Sequence, residues 1–375
     1  MGGSPPRNRA PRNAALDGLR ASAALSVFVF HAWLYTLKGT SASAAPESLA
    51  NDLFSQLRIG LVLFFVLTGF LLFRAWVRAA SAGRPAPSTA TYAVRRIGRI
   101  VPAYWLAIVG SALLLYPLAG SPGVRLPPAE LLPLFFIFAQ NFSAQTLLKL
   151  DPPMWTLAVE ATFYLVLPLL GWLALRTARG GRRMMIMPLL LLAAGVTFNY
   201  SITGNGGISL TWAKSLPAML PYFALGMLAA VIIDGREIRA AQARCWLAVG
   251  TLLVLADVVI QIEGFGALHA LRNLASAVGF AVIVAVAAAR PPKPLELRPL
   301  VWVGGISYGL YLWHVPVLLV LRANGLLPLS PWGATLVALP ISLLLGWLSL
   351  RLVEKPAIAW SRRTKLFRAN VSGRA

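Results

Sequence analysis

Apolar stretches close to the length of a bilayer-crossing helix recur along the chain, separated by short polar stretches that collect most of the Lys and Arg. They lie near 16–37, 57–77, 100–119, 131–142, 154–175, 184–199, 215–233, 245–262, 270–289, 300–321 and 332–353. A helix needs roughly 20 apolar residues to span the hydrocarbon. The pattern therefore predicts an all-α polytopic membrane protein with about ten transmembrane helices. The segment at 131–142 is too short to cross and is expected to be re-entrant or interfacial. No internal repeat interrupts the series.

The cations arbitrate the topology. If all eleven stretches crossed, the loop carrying Arg176, Arg179, Arg182 and Arg183 would face outward, against the bias of cytoplasmic loops toward Lys and Arg. With 131–142 held out of the count, the clusters at 78–99, 176–183, 236–244, 290–298 and 355–374 and the basic N-terminus fall on one side. Both termini are then cytoplasmic. Residues 1–13 and 358–375 read as basic tails flanking one membrane domain, 14–357, in the cell membrane. Ala42-Ser43-Ala44 resembles a signal-peptidase site, but the run before it is longer than a signal core and carries Arg20 and His31. An uncleaved first span is expected.

Composition agrees: 58% of residues are hydrophobic and 12% charged. The net charge of +22 sits between the apolar runs and predicts membrane topology, not nucleic-acid binding. The single Cys excludes an intramolecular disulfide framework.

Ionisable side chains inside apolar runs are costly and mark functional paths. Arg20 and His31 lie eleven residues apart, which is three helical turns and about 16 Å of rise, so they share one face at different depths. Tyr35 continues that stripe, and Asp17 is placed to pair with Arg20. An imidazole there suits a general base. The alternative is a neutral packing histidine and an arginine snorkelling to the surface.

Arg95, Arg96 and Arg99 precede the third run, where guanidinium forks match phosphate oxygens or simply anchor the span. Trp155 opens the stretch that buries Glu160, a carboxylate suited to orienting a histidine or balancing an arginine. Ser307, Tyr311 and His314 recur at helical spacing ahead of Pro316 and could line an acceptor pocket; the neighbouring aromatics equally suit an interfacial belt. Asp257 has no evident sequence partner, His269 reads as a surface loop residue and Cys245 as structural. No metal-ligand spacing, phosphate-binding Gly loop or nucleophile elbow occurs.

In this order, Leu16-Asp17-Gly18-Leu19-Arg20 with His31, Phe64 to Leu72, Arg96-Ile97-Gly98-Arg99, Trp155 to Glu160 with Phe163-Tyr164, Ile306 to Pro316, and Glu354-Lys355-Pro356 resemble acyltransferase family 3 of integral membrane O-acyltransferases. The likeness covers roughly residues 14 to 357. It implies ten membrane helices and transfer of an acyl group, usually acetyl from acetyl-CoA. The implied acceptor is a hydroxyl of a surface carbohydrate or of a glycosylated or macrolide natural product. It also implies use of the pairs Arg20/His31 and Arg96/Arg99. Thr68 stands where Ser is common, and Ala161 follows Glu160 where many members carry a second acid. The hydrolase-like C-terminal domain of some members is not expected.

The resulting expectation has acyl-CoA as a donor substrate, with no resident cofactor or metal. Its phosphates dock on Arg95, Arg96 and Arg99, and His31 deprotonates the acceptor with Glu160 setting its tautomer. Arg20 holds the donor or the oxyanion, and Tyr35, Trp155, Ser307, Tyr311 and His314 contact the acceptor. The rival is a transporter or flippase whose buried ionisable groups form a proton or substrate path.

Overall fold

The computed structural model describes residues 13–42, 45–178, 181–204, 209–263, 271 and 273–363. The proposed tails (apart from Asn13 at one end and 358–363 at the other), part of the signal-peptidase-like site and His269 lie outside them. Among the described residues the chain is all helical, without strands. The long helices are α1 (Ala14–Leu34), α2 (Gly60–Ser81), α3 (Thr89–Leu115), α4 (Met154–Ala178), α5 (Ile186–Gly204), α6 (Leu216–Ile233), α7 (Ala240–Glu263), α8 (Leu274–Ala289), α9 (Arg298–Ala323) and α10 (Pro331–Ser349).

Eight of these segments are long and apolar enough to cross a membrane. The other two are α1, which carries Asp17, Arg20 and His31, and α8, which has 16 residues. Both pack inside the same bundle: α1 against α9, α2 and α10, and α8 against α7 and α6. The 131–142 stretch does not cross. It forms one helical turn, Pro133–Phe136, between 3₁₀ turns at Ala129–Leu131 and Gln140–Phe142. Phe138 adopts a left-handed φ of 59° there, which ends any helix.

Local chemistry sets the helix ends. The Asn13 side chain accepts the Leu16 amide at 3.2 Å and donates to the Ala287 carbonyl at 3.1 Å, capping α1 while tying it to α8. Ser88 caps α3 and Ser330 caps α10, the latter followed by Pro331 at the first helical position. Beyond α10 the helix widens into a π turn, Leu350–Glu354, and continues as Lys355–Arg363. Pro356 has no N–H to give to the regular ladder at that point.

Helix association inside lipid depends on close van der Waals contact rather than on hydrophobic transfer. Several pairs of helices approach backbone to backbone, two of them most tightly. A Cβ on Gly304 of α9 would overlap the Asp17 carbonyl of α1, and a Cβ on Gly69 of α2 would overlap the Phe223 carbonyl of α6. Beside the second contact, Phe163 stacks on Phe223 with ring centroids 4.1 Å apart. Large apolar side chains such as Leu165 and Leu113 point outward, as a lipid-facing surface requires.

Candidate active site

Two cavities enter the bundle and meet near its middle. The larger, about 1230 Å³, opens around the N-terminal half of α1, the start of α3 and the Lys355–Arg363 helix. The smaller, about 530 Å³, opens around the C-terminal end of α1 and the 148–156 loop. Leu61, Thr156 and Tyr311 line both. Thr156 Oγ1 and Tyr311 Oη lie 2.8 Å apart, and each hydroxyl is also within reach of the Pro153 carbonyl, at 3.0 and 3.2 Å. These side chains form the shared wall.

The larger cavity is cationic. Nine Lys and Arg against four Asp and Glu line it. Arg96 and Arg99 point into it, whereas Arg95 is exposed and does not line it. The helix α3 begins at Thr89, six residues ahead of Arg95, so all three arginines lie within it. Arg95 stands about 100° from Arg96 and about 40° from Arg99 around the helix, so it lies at the exposed edge of the stripe and not on an opposite face. Arg20 also lines this cavity, within electrostatic range of Arg99, Asp17 and Glu160.

Glu160 lies in the larger cavity as well. It accepts hydrogen bonds from Thr68 Oγ1 at 3.0 Å and from Tyr164 Oη at 2.6 Å. The expected bond from Glu160 to His31 does not form, because the two side chains face different cavities. Thr68, at the position where Ser is common, retains the hydroxyl that this contact needs.

His31 lines the smaller cavity. Its Nδ1 sits 2.9 Å from the Val27 carbonyl and 3.2 Å from His314 Nε2. His314 Nδ1 in turn sits 2.7 Å from the Tyr311 carbonyl. A carbonyl can only accept, so both Nδ1 atoms carry protons. His314 Nε2 is then a lone pair that accepts from His31 Nδ1–H. His31 Nε2 is left as the basic nitrogen. The tautomers follow from the hydrogen bonds alone.

The residues expected to line one acceptor pocket are divided. Tyr35 and Trp155 line the smaller cavity, Ser307 the larger, and Tyr311 both. Ser307 donates to the Gly304 carbonyl at 3.0 Å. His314 lines neither cavity; it is 1% exposed and stands behind His31. Asp257, without a sequence partner, accepts from Ser276 Oγ at 2.6 Å and joins α7 to α8. Among the described residues no group of His, Cys, Asp and Glu is arranged to hold a metal ion.

Several residues that build the site are not evident in the sequence. Gln140 Nε2 donates to Tyr104 Oη and to the Met154 carbonyl, both at 3.0 Å. Asn141 Nδ2 donates to the Trp155 carbonyl at 2.8 Å and the Lys214 carbonyl at 2.9 Å. These two amides let the non-crossing 131–142 stretch brace the start of α4. The available signal was a polar Gln-Asn pair at the end of an apolar run too short to cross. Asp151, in the following loop, is 1% exposed, and burial pushes its carboxyl well above the usual carboxylate range.

Nodulation protein 10 of Rhizobium leguminosarum bv. viciae is 28% identical over 96% of both chains. O-acetyltransferase OatA of Staphylococcus aureus is 22% identical over 91% of this chain and 56% of its own length. The chain thus spans about half of OatA. No solved structure matches. A family model described as an acyltransferase domain matches residues 13–351. This near-complete match extends over both cavities and the helices that carry Arg20, His31, Arg96, Arg99 and Glu160, and the chain belongs to acyltransferase family 3.

Proposed function

We propose that the chain is a membrane O-acyltransferase that moves an acyl group, acetyl in the leading case, from acyl-CoA to a carbohydrate hydroxyl. The observation that carries this reading is the meeting of an arginine-lined cavity and a histidine-lined cavity at Thr156 and Tyr311. The relationship to an O-acetyltransferase supports the chemistry. A macrolide or other glycosylated natural product is the second class of acceptor.

Acyl-CoA enters at the Arg96/Arg99 end, where guanidinium forks suit its phosphates. The charge pattern along the chain favours the cytoplasmic side for this end, where acyl-CoA is found. Arg20 belongs to the donor. About 16 Å of helix rise separates it from His31, and helical side chains lean toward the N-terminus, so it points away from His31. The acceptor enters at the His31 end.

His31 Nε2 takes the hydroxyl proton as the acceptor oxygen attacks the thioester carbon. The C–O bond forms, the C–S bond breaks, and the proton passes from His31 to the departing CoA thiolate. The hydroxyls of Tyr311 and Thr156 on the shared wall give their protons to the Pro153 carbonyl or to each other, and the oxyanion receives a hydrogen bond when one of them turns from that carbonyl. A positioned base supplies roughly 10²–10⁴-fold and an oxyanion donor roughly 10²–10³-fold.

The test is acceptor-dependent release of free CoA by the purified chain, with mass spectrometry of the acceptor. Release together with an acylated product, both lost in His31→Ala at normal protein levels, supports the reading. Near-normal product from His31→Ala sinks the base assignment. Movement of an intact solute across the membrane without CoA release replaces the reading with transport.

A further inference from the structure

The cavity at the His31 end has a charge that acyl transfer to a neutral sugar does not call for. Arg58, Arg125 and Lys214 line it, and among the described residues no Asp or Glu does. The opposite end of the bundle is where cations are abundant and expected as membrane anchors. At this sparser end, three cations from separate parts of the chain turn toward one space.

The position of Lys214 is built. Its ammonium sits 4.1 Å over the Trp155 ring. Asn141, which is 6% exposed, holds the carbonyls of Lys214 and Trp155 together through one amide nitrogen. Trp155 and Lys214 therefore enter the cavity as a fixed aromatic–cation unit on the wall that also carries Thr156. Arg125 comes from another loop, whose backbone carbonyl accepts the Leu150 amide at 2.7 Å. That bond ties it to the same wall. Asp151 is the nearby carboxyl, but it does not line the cavity, and burial favours its neutral form. It does not cancel the field.

We infer that this cavity selects acceptors bearing an anionic group, a carboxylate or a phosphate on the saccharide, close to the hydroxyl that is acylated. The inference rests on the acyl-transfer reading for its use and on the cavity alone for its charge preference. A saccharide ring against Trp155 would place its anion toward Lys214 and Arg125 while a hydroxyl faces His31. The volume of about 530 Å³ lies within the range of small-ligand sites.

The experiment uses the full chain in neutral-lipid nanodiscs and three matched probes: methyl glucoside, the methyl glycoside of glucuronic acid, and glucose 1-phosphate. Binding is read by calorimetry or tryptophan fluorescence, independently of turnover. At least one charged probe is expected to bind roughly tenfold or more tighter than methyl glucoside, as one charge-assisted hydrogen bond provides. The carboxylate and phosphate arms show which anion is preferred. The gap should close in Lys214→Gln and Arg125→Gln, and should shrink in the unmodified chain as salt is raised. Equal binding of all three probes, binding of none, or a preference that survives both substitutions and salt overturns the inference. Anion-selective binding without CoA release from any acceptor sinks the acyl-transfer reading while leaving the charge preference standing.

Discussion

His314 Nε2 lies 3.2 Å from His31 Nδ1, although 283 residues separate them in the chain. The Val27 carbonyl holds a proton on His31 Nδ1, and His314 Nε2 is a second acceptor for that same N–H. His31→Ala is expected to lose roughly 10²–10⁴-fold in kcat, the contribution of a general base. His314→Phe, which keeps a ring but no acceptor, should lose about tenfold and shift the pH–rate profile, with acceptor KM little changed. Equal losses in the two variants, or an unshifted profile in His314→Phe, would assign both histidines to one structural unit.

The different exposure of the three α3 arginines gives a second expectation. Arg96→Ala and Arg99→Ala should each raise the KM for acyl-CoA by roughly tenfold, with acceptor KM unchanged, because each removes a charged partner from the phosphates. Arg95→Ala, at the exposed edge, should stay within about twofold, as ordinary surface substitutions do. Steady-state CoA release at varied donor concentration makes the comparison.

Glu160 is expected to act on stability before chemistry. Glu160→Gln keeps a side-chain oxygen for Thr68 and Tyr164 and should melt close to the parent protein. Glu160→Ala leaves those hydroxyls, Arg20 and Arg96 without their carboxylate, at an expected cost of about 3–5 kcal/mol. Thermal unfolding in detergent separates the two.

Gly304 and the Asp17 carbonyl define a contact with no room for a methyl group. Gly304→Ala should push α9 off α1, at a typical overpacking cost of about 1–3 kcal/mol. It should also lower kcat, because His31 and His314 stand on those two helices. A normal melt with full activity would show that the helices can part there without consequence.

Asp151 gives a pH dependence with a definite sign. Its folded-state carboxyl holds the proton more tightly than in the unfolded chain, so its contribution is greatest in acid. That contribution falls as pH rises above the ordinary carboxylate range, by up to about 1.4 kcal/mol per pH unit. Asp151→Asn should flatten this slope and raise the melting temperature at neutral pH. Melts of both proteins from pH 4 to 8 read the difference.

Much of this was legible along the chain. The length of the apolar runs and the placement of arginines indicated the helices and identified 131–142 as a segment that does not cross. The spacing of Arg20 and His31 placed both on the stripe of α1 that meets the cavities. The rest depended on distances that spacing does not encode. No local pattern connects His314 to His31, and Glu160, expected to orient His31, accepts from Thr68 and Tyr164 instead. The three arginines ahead of the third apolar run looked alike in the sequence, and only the helix over 89–99 separates the exposed Arg95 from the two that line the cavity. Lys214 and Asn141 meet Trp155 only because the 131–142 stretch folds back against α4.

Thr156 and Tyr311 also bear on energy conservation. Two cavities wide enough to admit water and entering a bilayer from opposite ends come close to forming a pore, and a cell holding a proton gradient cannot tolerate one. The hydroxyl–hydroxyl contact at 2.8 Å, closed against the Pro153 carbonyl, is what stands between them. The same few side chains that must let an acyl group meet its acceptor must therefore also keep protons from following it.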